Sequence, residues 1–519
     1  MTQPVSEQRP VETLFHQRNH TLERSPAMPR VAVVLASRSD LAFLRPGLPG
    51  LILQCSQLRA ELVVVRPRGS YELSYLEVEF PSLRVVYTDS HCDLAEMRAR
   101  GLAEASSDIT VLLDDRLPPA HWERRIAGVR SKFGTTSVTS APPLLFSVVV
   151  PAHQAGPQLA PTLGALDRSD LPRDSWELIV VDDASTDGTA IAAAHVADVV
   201  VRLPGGQPFG PAYARNRGAD LAHGDIVVFI DADVRVRRDT LSRFRAAFAD
   251  VPDASAVIGC YDGVAASRGV VSQYRNLLHH YVHQRNAGVT DAFWGGCGAV
   301  RRLAFAEAGG YDEWSFDRPQ IEDIELGHRL RAAGRTIVLR PEIQATHLKR
   351  WTLRNLIATD IWDQGVPWVR VVSQRVAKPA TALIGPRTME RVNAILAWLG
   401  AGAAFVGAAR QEAAWLWVVV ACVAAIIINN RRQLAFFRRQ RGVGFTAVSI
   451  ALDSLCYLIS GVAAIAGWLL REIIGEPRPD AVTQAYFEVG AKQWPPIRAK
   501  CATPASVPLE ALAGPAANV

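Results

Sequence analysis

Apolar positions along this chain fall into two regimes. From Val31 to about residue 350 they come as short runs, separated by turn-rich or helix-length stretches. Val31-Ala-Val-Val-Leu, Glu61-Leu-Val-Val-Val, Leu83-Arg-Val-Val-Tyr, Ile109-Thr-Val-Leu-Leu, Phe146-Ser-Val-Val-Val, Trp176-Glu-Leu-Ile-Val-Val and Ile226-Val-Val-Phe-Ile all read as buried strands. Strands that alternate with helix-length segments predict a mostly parallel α/β sheet. Past residue 390 the runs lengthen. Val392 to Ala409, Ala413 to Ile428 and Val443 to Leu470 (broken by Asp453) each approach the roughly 20 residues that span a bilayer. The basic loop Arg431 to Arg441 should face the cytoplasm, giving a multi-pass protein of the cell membrane. A third full span would put the chain's end outside; a re-entrant hairpin would keep it inside.

These patterns divide the chain. Residues 1–30 are polar and proline-punctuated and predict a disordered tail without a signal peptide's apolar core. Residues 31–140 form a smaller α/β half-domain, and 141–375 a second α/β domain, joined through the small, polar Lys132 to Pro143 linker. Residues 376–475 hold interfacial and transmembrane helices, with Asp360 to Val372 leading into them, and 476–519 a flexible tail.

The first α/β module resembles the second. Glu61-Leu-Val-Val-Val aligns with Glu177-Leu-Ile-Val-Val, and Arg98-Ala-Arg-Gly101 with Arg215-Asn-Arg-Gly218. From there Asp108 to Asp114 aligns without a gap onto Asp225 to Asp231. The chemistry is not repeated: Arg66-Pro67 stands where the second copy has Asp182-Asp183, and Arg116 where it has Asp233. Arginine cannot ligate a cation, so the first module reads as a degenerate copy kept for packing or acceptor contacts.

Several strand ends carry polar residues suited to an anionic ligand. Asp231-Ala-Asp233 puts two carboxylates at a sheet's carboxyl edge, a hard-oxygen site for Mg²⁺ or Mn²⁺ bridged to a diphosphate. Asp182 and Asp183 can accept base N–H and ribose hydroxyl donors. Gly210 opens a loop into a helix bearing Arg215, Asn216 and Arg217, a plausible diphosphate contact. At 519 residues and net charge +5, the chain is multi-module and only mildly basic, with no stripe that would favour a nucleic-acid polymer. Seven scattered cysteines, without CxxC spacing, argue against a zinc site or disulfide framework.

Pro151-Ala-His, Val180-Val-Asp-Asp-Ala-Ser-Thr-Asp-Gly-Thr, Ala214-Arg-Asn-Arg-Gly and Phe229-Ile-Asp-Ala-Asp together resemble the family 2 glycosyltransferases. Trp294-Gly-Gly-Cys-Gly298 resembles that family's glycine loop, and Ile321-Glu322-Asp323 its base-bearing helix; the likeness covers roughly 146 to 375. It implies a GT-A fold, a nucleotide-sugar donor (UDP-, GDP- or dTDP-linked) and a divalent cation. By the same resemblance Pro151, Asp182 and Asp183 would hold the nucleoside. Asp231 and Asp233 would hold the ribose–diphosphate–metal assembly with Arg215 and Asn216, Gly295, Gly296 and Glu322 would line the sugar and acceptor pocket, and Asp323 would be the general base.

His347-Leu-Lys-Arg350-Trp351 resembles the Gln-x-x-Arg-Trp of processive members, with His in place of Gln. His347 would complete the metal shell, Arg350 would hold phosphate and Trp351 would stack on a sugar; the same segment also reads as an interfacial amphipathic start. His279, His280 and His283, and the lone Cys297, read as packing. The expectation is an inverting, metal-dependent transferase using a lipid-linked or glycan acceptor at the membrane, for cell-envelope glycan assembly. A processive polysaccharide synthase, whose pore would need an oligomer, and a non-catalytic membrane scaffold are the alternatives.

Overall fold

The structure is a computed structural model that describes residues 29–68, 78–80, 83–133, 144–372 and 388–475. Both expected tails (all but residues 29 and 30) and most of the Lys132–Pro143 linker lie outside the described residues.

The predicted strands form one mixed, mostly parallel sheet of 13 strands. In the first half, β1 (Val31–Ala36), β2 (Glu61–Pro67), β3 (Arg84–Thr88) and β4 (Ile109–Asp114) lie in the order β4-β1-β2-β3, all parallel, with helix α1 (Leu94–Glu104) crossing from β3 to β4. The second half begins with β5 (Leu144–Ala152), β6 (Trp176–Asp182), β7 (Val199–Arg202), helix α2 (Pro211–Asp220) and β8 (Gly224–Ile230). Its order is β8-β5-β6-β7, again all parallel. Strand order and helix placement therefore repeat, as the sequence does.

The two halves share one sheet. β4 pairs with β7 in antiparallel register, Ile109 opposite Val201 and Val111 opposite Val199. This seam turns the halves end for end. The first half's carboxyl edge, with Asp114 and Arg116, sits beside the second half's amino edge: Arg98 donates to the carbonyls of Ala194 and Ala197, and Arg125 to that of Trp176. The expectation that the first module contributes acceptor contacts is thus not met at that edge, which faces away from Asp231. Packing is what it supplies. Each face of the sheet carries an apolar layer continuous across both halves: Val33, Leu35, Val149 and Phe229 on one, Val34, Val65, Val148 and Val228 on the other.

The crossing helices approach the strands through equivalent glycines on opposite faces. A Cβ on Gly101 would lie 2.2 Å from Val34 Cγ1, and one on Gly218 would lie 2.4 Å from Val149 Cγ1. An ion pair follows in each copy, Arg98 with Asp114 and Arg215 with Asp231.

Beyond β8 the sheet leaves the parallel pattern. β9 (Val234–Val236), β10 (Ala254–Tyr261), helix α3 (Val270–Arg285), β11 (Gly288–Thr290), β12 (Cys297–Arg301), helix α4 (Glu322–Ala332) and β13 (Thr336–His347) complete it. β12 is antiparallel to β8 and to β10, and β13 runs parallel to β10 but antiparallel to β9 and β11. The chain then passes through α5 (Leu353–Ala358) and two π-helical turns into α6 (Thr388–Arg410), α7 (Trp415–Asn429) and α8 (Arg431–Ile474). Of the three expected spans, Met389–Arg410 and the apolar stretch within Arg431–Ile474 are long and apolar enough to cross a bilayer. The middle one, at 15 residues, is shorter, roughly 22 Å at helical rise. Helix α8 breaks at Gly442 (φ 84°), which separates its arginine-rich start from its apolar body.

Replacing Gly101 or Gly218 with alanine should each destabilise the fold by about 1–3 kcal/mol, the usual cost of overpacking. Thermal melts of the purified protein would show a lower Tm for both; unchanged melting of Gly101→Ala would mean the first half is not packed as described.

Candidate active site

The second half's carboxyl edge gathers the polar residues that the sequence singled out. β5 ends at Pro151–Ala152, β6 at Asp182, and β8 runs directly into Asp231. The loops after β5 and β6 hold Gln154 and Ala184 at φ 47° and 56°, a left-handed conformation that costs a non-glycine residue about 1 kcal/mol or more. They are tied together: Gln154 N–H donates to Ser185 Oγ at 2.9 Å and Gln154 Nε2 to Thr186 Oγ1 at 3.0 Å. Asp182 accepts from Ser185 N–H at 3.2 Å. Asp183 spends both oxygens on the backbone N–H groups of Phe209 (2.9 Å) and Gly210 (2.8 Å), and burial pushes its carboxyl up to about 6. It pins the loop that begins α2.

Asp233 and His347 meet because β9 and β13 pair with Val234 opposite His347. His347 Nε2 lies 3.3 Å from Asp233 Oδ2. Burial opposes ionisation of Asp233, but the hydrogen bond and charge of His347, with Lys349 nearby, hold its carboxyl below the usual range. The imidazole lies flat on Tyr261, ring centroids 4.6 Å apart at 10°, and His279 stacks on Tyr261 at 5.9 Å. One hard oxygen and one imidazole nitrogen suit Mn²⁺ or Mg²⁺ whose other ligands come from a diphosphate. Among the described residues no third His, Cys, Asp or Glu joins them.

Asp323 stands at the start of α4. Gly327 allows the approach: a Cβ there would lie 2.3 Å from the backbone nitrogen of Phe293, so the helix rests directly on the 291–295 segment. Asp323 Oδ2 then accepts the Gly295 N–H at 3.1 Å and Oδ1 the Ile324 N–H at 2.8 Å. Burial, and then the neighbouring Glu322 charge, push the Asp323 carboxyl up to about 7, against the pull of Arg215. A carboxylate so placed is a competent general base near neutrality.

Four other candidates are placed differently from expectation. Arg215 is buried and donates to Asp231 Oδ1 (2.6 Å) and Glu322 Oε1 (2.7 Å), so its guanidinium ties two carboxylates together instead of standing open to a diphosphate. Glu322 is 3% exposed and gives its second oxygen to the Gln320 N–H, which removes it from the pocket wall. Asn216 binds the Tyr311 carbonyl and N–H and the Glu313 carboxylate, fixing the 311–313 turn. Trp351 is 7% exposed and packed with Tyr274, Leu277 and Leu356, with Lys349 Nζ 4.3 Å above its ring, so it offers no open face to a sugar. Arg215 and Glu322 meet across 107 residues and Asn216 reaches Tyr311 across 95, beyond the reach of a local motif.

Gly295 and Gly296 form the tight loop over β8, with the Gly296 carbonyl accepting from Asp231 N–H at 3.3 Å, and Arg350 is exposed beside Trp351. His279, His280 and His283 pack around Tyr261 and Trp294, and Cys297 is buried in β12. Two site residues escaped the sequence reading. Tyr261 closes the apolar run of β10, and Tyr311, its hydroxyl buried without a partner among the described residues, faces Gly295. Tyr311 belongs to the Gly309-Gly-Tyr-Asp-Glu turn that follows the glycine loop and Tyr261 carries no motif; the fold brings them to Asp231, Asp233 and Asp323, whose charges both or one of them feel.

The chain carries a Glycosyl transferase family 2 domain: the model of that family matches residues 147–309. Among curated relatives, validoxylamine A glucosyltransferase of Streptomyces hygroscopicus subsp. jinggangensis is 29% identical over 243 residues, 40% of this chain and 57% of that protein. The pre-mycofactocin glycosyltransferase of Mycobacterium tuberculosis is 31% identical over 191 residues, 35% of this chain and 39% of that protein. The chain thus spans 57% or less of the length of these two relatives. Among solved structures, the mannosyltransferase PcManGT of Pyrobaculum calidifontis, in complex with GDP-Man and Mn²⁺, aligns with TM-score 0.39 at 20% identity, over 74% of this chain and 100% of its own.

The raised Asp323 carboxyl links stability to pH. Its folded value lies above its unfolded one, so its contribution is full at acid pH and is lost as pH rises toward about 7. Asp323→Asn should therefore raise Tm relative to the parent at pH 8 and much less at pH 5. Equal Tm differences at the two pH values would refute the buried, raised carboxyl.

Proposed function

We propose that this protein is an inverting, metal-dependent glycosyltransferase, held at the membrane by its C-terminal helices, with its α/β sheet on the cytoplasmic side. It moves a sugar from a nucleotide donor to a hydroxyl of a lipid-linked or membrane-proximal acceptor in cell-envelope glycan assembly. The observation that carries this reading is the convergence, on one sheet edge, of a buried, high-pKa Asp323 with the Asp231/Asp233–His347 group. The family 2 domain and glycosyltransferase relatives support it.

Asp182, at the end of β6, would accept hydrogen bonds from the nucleoside, with Pro151 shaping the adjoining floor. Asp233 and His347 would hold Mg²⁺ or Mn²⁺, which when bound supplies positive charge against the diphosphate. Asp231, fixed by Arg215, would accept a ribose hydroxyl, and Arg350 would add charge at the phosphate side. Asp323, held by the Gly295 N–H, takes the acceptor hydroxyl's proton as its oxygen bonds to the anomeric carbon. The bond from that carbon to the diphosphate breaks on the opposite face, and the nucleoside diphosphate leaves with the electron pair. Tyr311 would meet a sugar hydroxyl beside the glycine loop.

A panel of UDP-, GDP- and dTDP-sugars with Mn²⁺ or Mg²⁺ tests this directly. Asp323→Asn should cut transfer by about 10²- to 10⁴-fold while donor binding persists. Parent activity should rise with pH as Asp323 ionises toward about 7. Asp233→Ala should weaken donor binding and abolish the response to added cation, and a chelator should silence the parent until metal is restored. Wild-type turnover in both variants would overturn the assignment, and product length on a lipid acceptor separates single transfer from polymerisation.

A further inference from the structure

The start of α8 is a short amphipathic helix with two well-defined faces. Leu434 and Phe437 are buried, and Phe436 and Phe437 pack on α3 against His280, Tyr281 and Tyr274. Arg431, Arg432, Arg438, Arg439 and Arg441 are exposed. Among the described residues none of the five is paired with a carboxylate, and the sequence has no acidic residue between Glu412 and Asp453. The arginines sit where the apolar helices end. Ile428 just before them and Val443 just after are 61% and 67% exposed. This is charge placed at the rim of an apolar belt, with no carboxylate among the described residues paired to it.

The same helix is tied to the candidate active site. Arg441 donates to the Gly263 carbonyl at 3.1 Å, two residues beyond Tyr261. On α3, His280 Nδ1 bonds the Tyr261 carbonyl at 2.7 Å and Asn276 the Asp262 carbonyl at 2.8 Å, while Tyr274 bonds Asp453 of α8 at 2.6 Å. The backbone of residues 261–263 is therefore held from both α3 and the arginine helix, and Tyr261 is the ring on which His347 rests.

We propose that the arginine face binds the phosphates of anionic phospholipid headgroups, and that this seats the Tyr261–Gly263 segment and activates transfer. The inference rests on the membrane reading above. A row of guanidiniums beside an apolar belt matches phosphodiester anions in charge and in geometry, and each such contact weakens with salt.

The test uses the full chain in vesicles of phosphatidylcholine, with or without a minority of phosphatidylglycerol, and Arg432→Gln/Arg438→Gln/Arg439→Gln as the variant. Phosphatidylglycerol should raise the parent's donor turnover several-fold, less so at high salt, and should raise its Tm in detergent. The variant should stay at the phosphatidylcholine rate and show no Tm rise. Equal rates in both vesicles, or a variant that still responds, would overturn the proposal. Inorganic phosphate that activates the parent in phosphatidylcholine would overturn the choice of a lipid source. Alkaline carbonate that strips the parent from vesicles would overturn the membrane reading itself, and this proposal with it. Retention without lipid dependence would overturn this proposal alone.

Discussion

The arrangement of the site depends on one buried cation. Arg215 joins Asp231, at the end of β8, to Glu322, at the start of α4, so two elements far apart in sequence meet through a single guanidinium. Three carboxylates, Asp231, Glu322 and Asp323, stand close enough for each of the others to raise the Asp323 pKa. The guanidinium sits among them and offsets part of their mutual repulsion. With it, burial and the Glu322 and Asp231 charges still push the Asp323 carboxyl up to about 7, against the pull of Arg215. A carboxyl raised near neutrality is thus a property of the cluster and not of one residue.

The first half shows the same device without the chemistry. Arg98 pairs with Asp114 as Arg215 pairs with Asp231, but Arg116 then folds back on Asp114 with its Nε 2.9 Å from Oδ2. Burial of Asp114 favours its protonated form, yet the two guanidiniums hold its carboxyl down at about 2. The second half's Asp233 turns instead toward His347. One residue type decides whether the edge closes on itself or stays open to a ligand. That contrast supports reading the two halves as copies of one unit, one of which has kept only its packing.

Much of this was legible in the sequence. Strand identity followed from short valine-rich runs, and the polar ends of those strands named Asp182, Asp231 and Asp233, while Asp323 was named by its helix's resemblance to the family 2 glycosyltransferases. What the sequence hid was direction. Arg215, Asn216, Glu322 and Trp351 have the residue types of a binding surface, but each is turned inward by a partner from a distant segment. Tyr261 and Gly327 had the opposite problem, looking like ordinary core and helix positions until the fold set them against His347 and Phe293. The end-for-end seam was equally invisible, because a strand's sequence does not say which neighbour it will meet, or in which sense.

That seam has a consequence for solubility and for truncation. Without the first half, β7 would be an outermost strand of valines (Val199, Val200 and Val201), presenting unpaired backbone groups to any passing chain. β4 occupies that edge, and the outer boundary moves to β3, a strand that carries Arg84 and is partly exposed. The first half thereby serves as a permanent edge guard. A fragment that began at β5 would keep every candidate site residue and lose its protection against self-association.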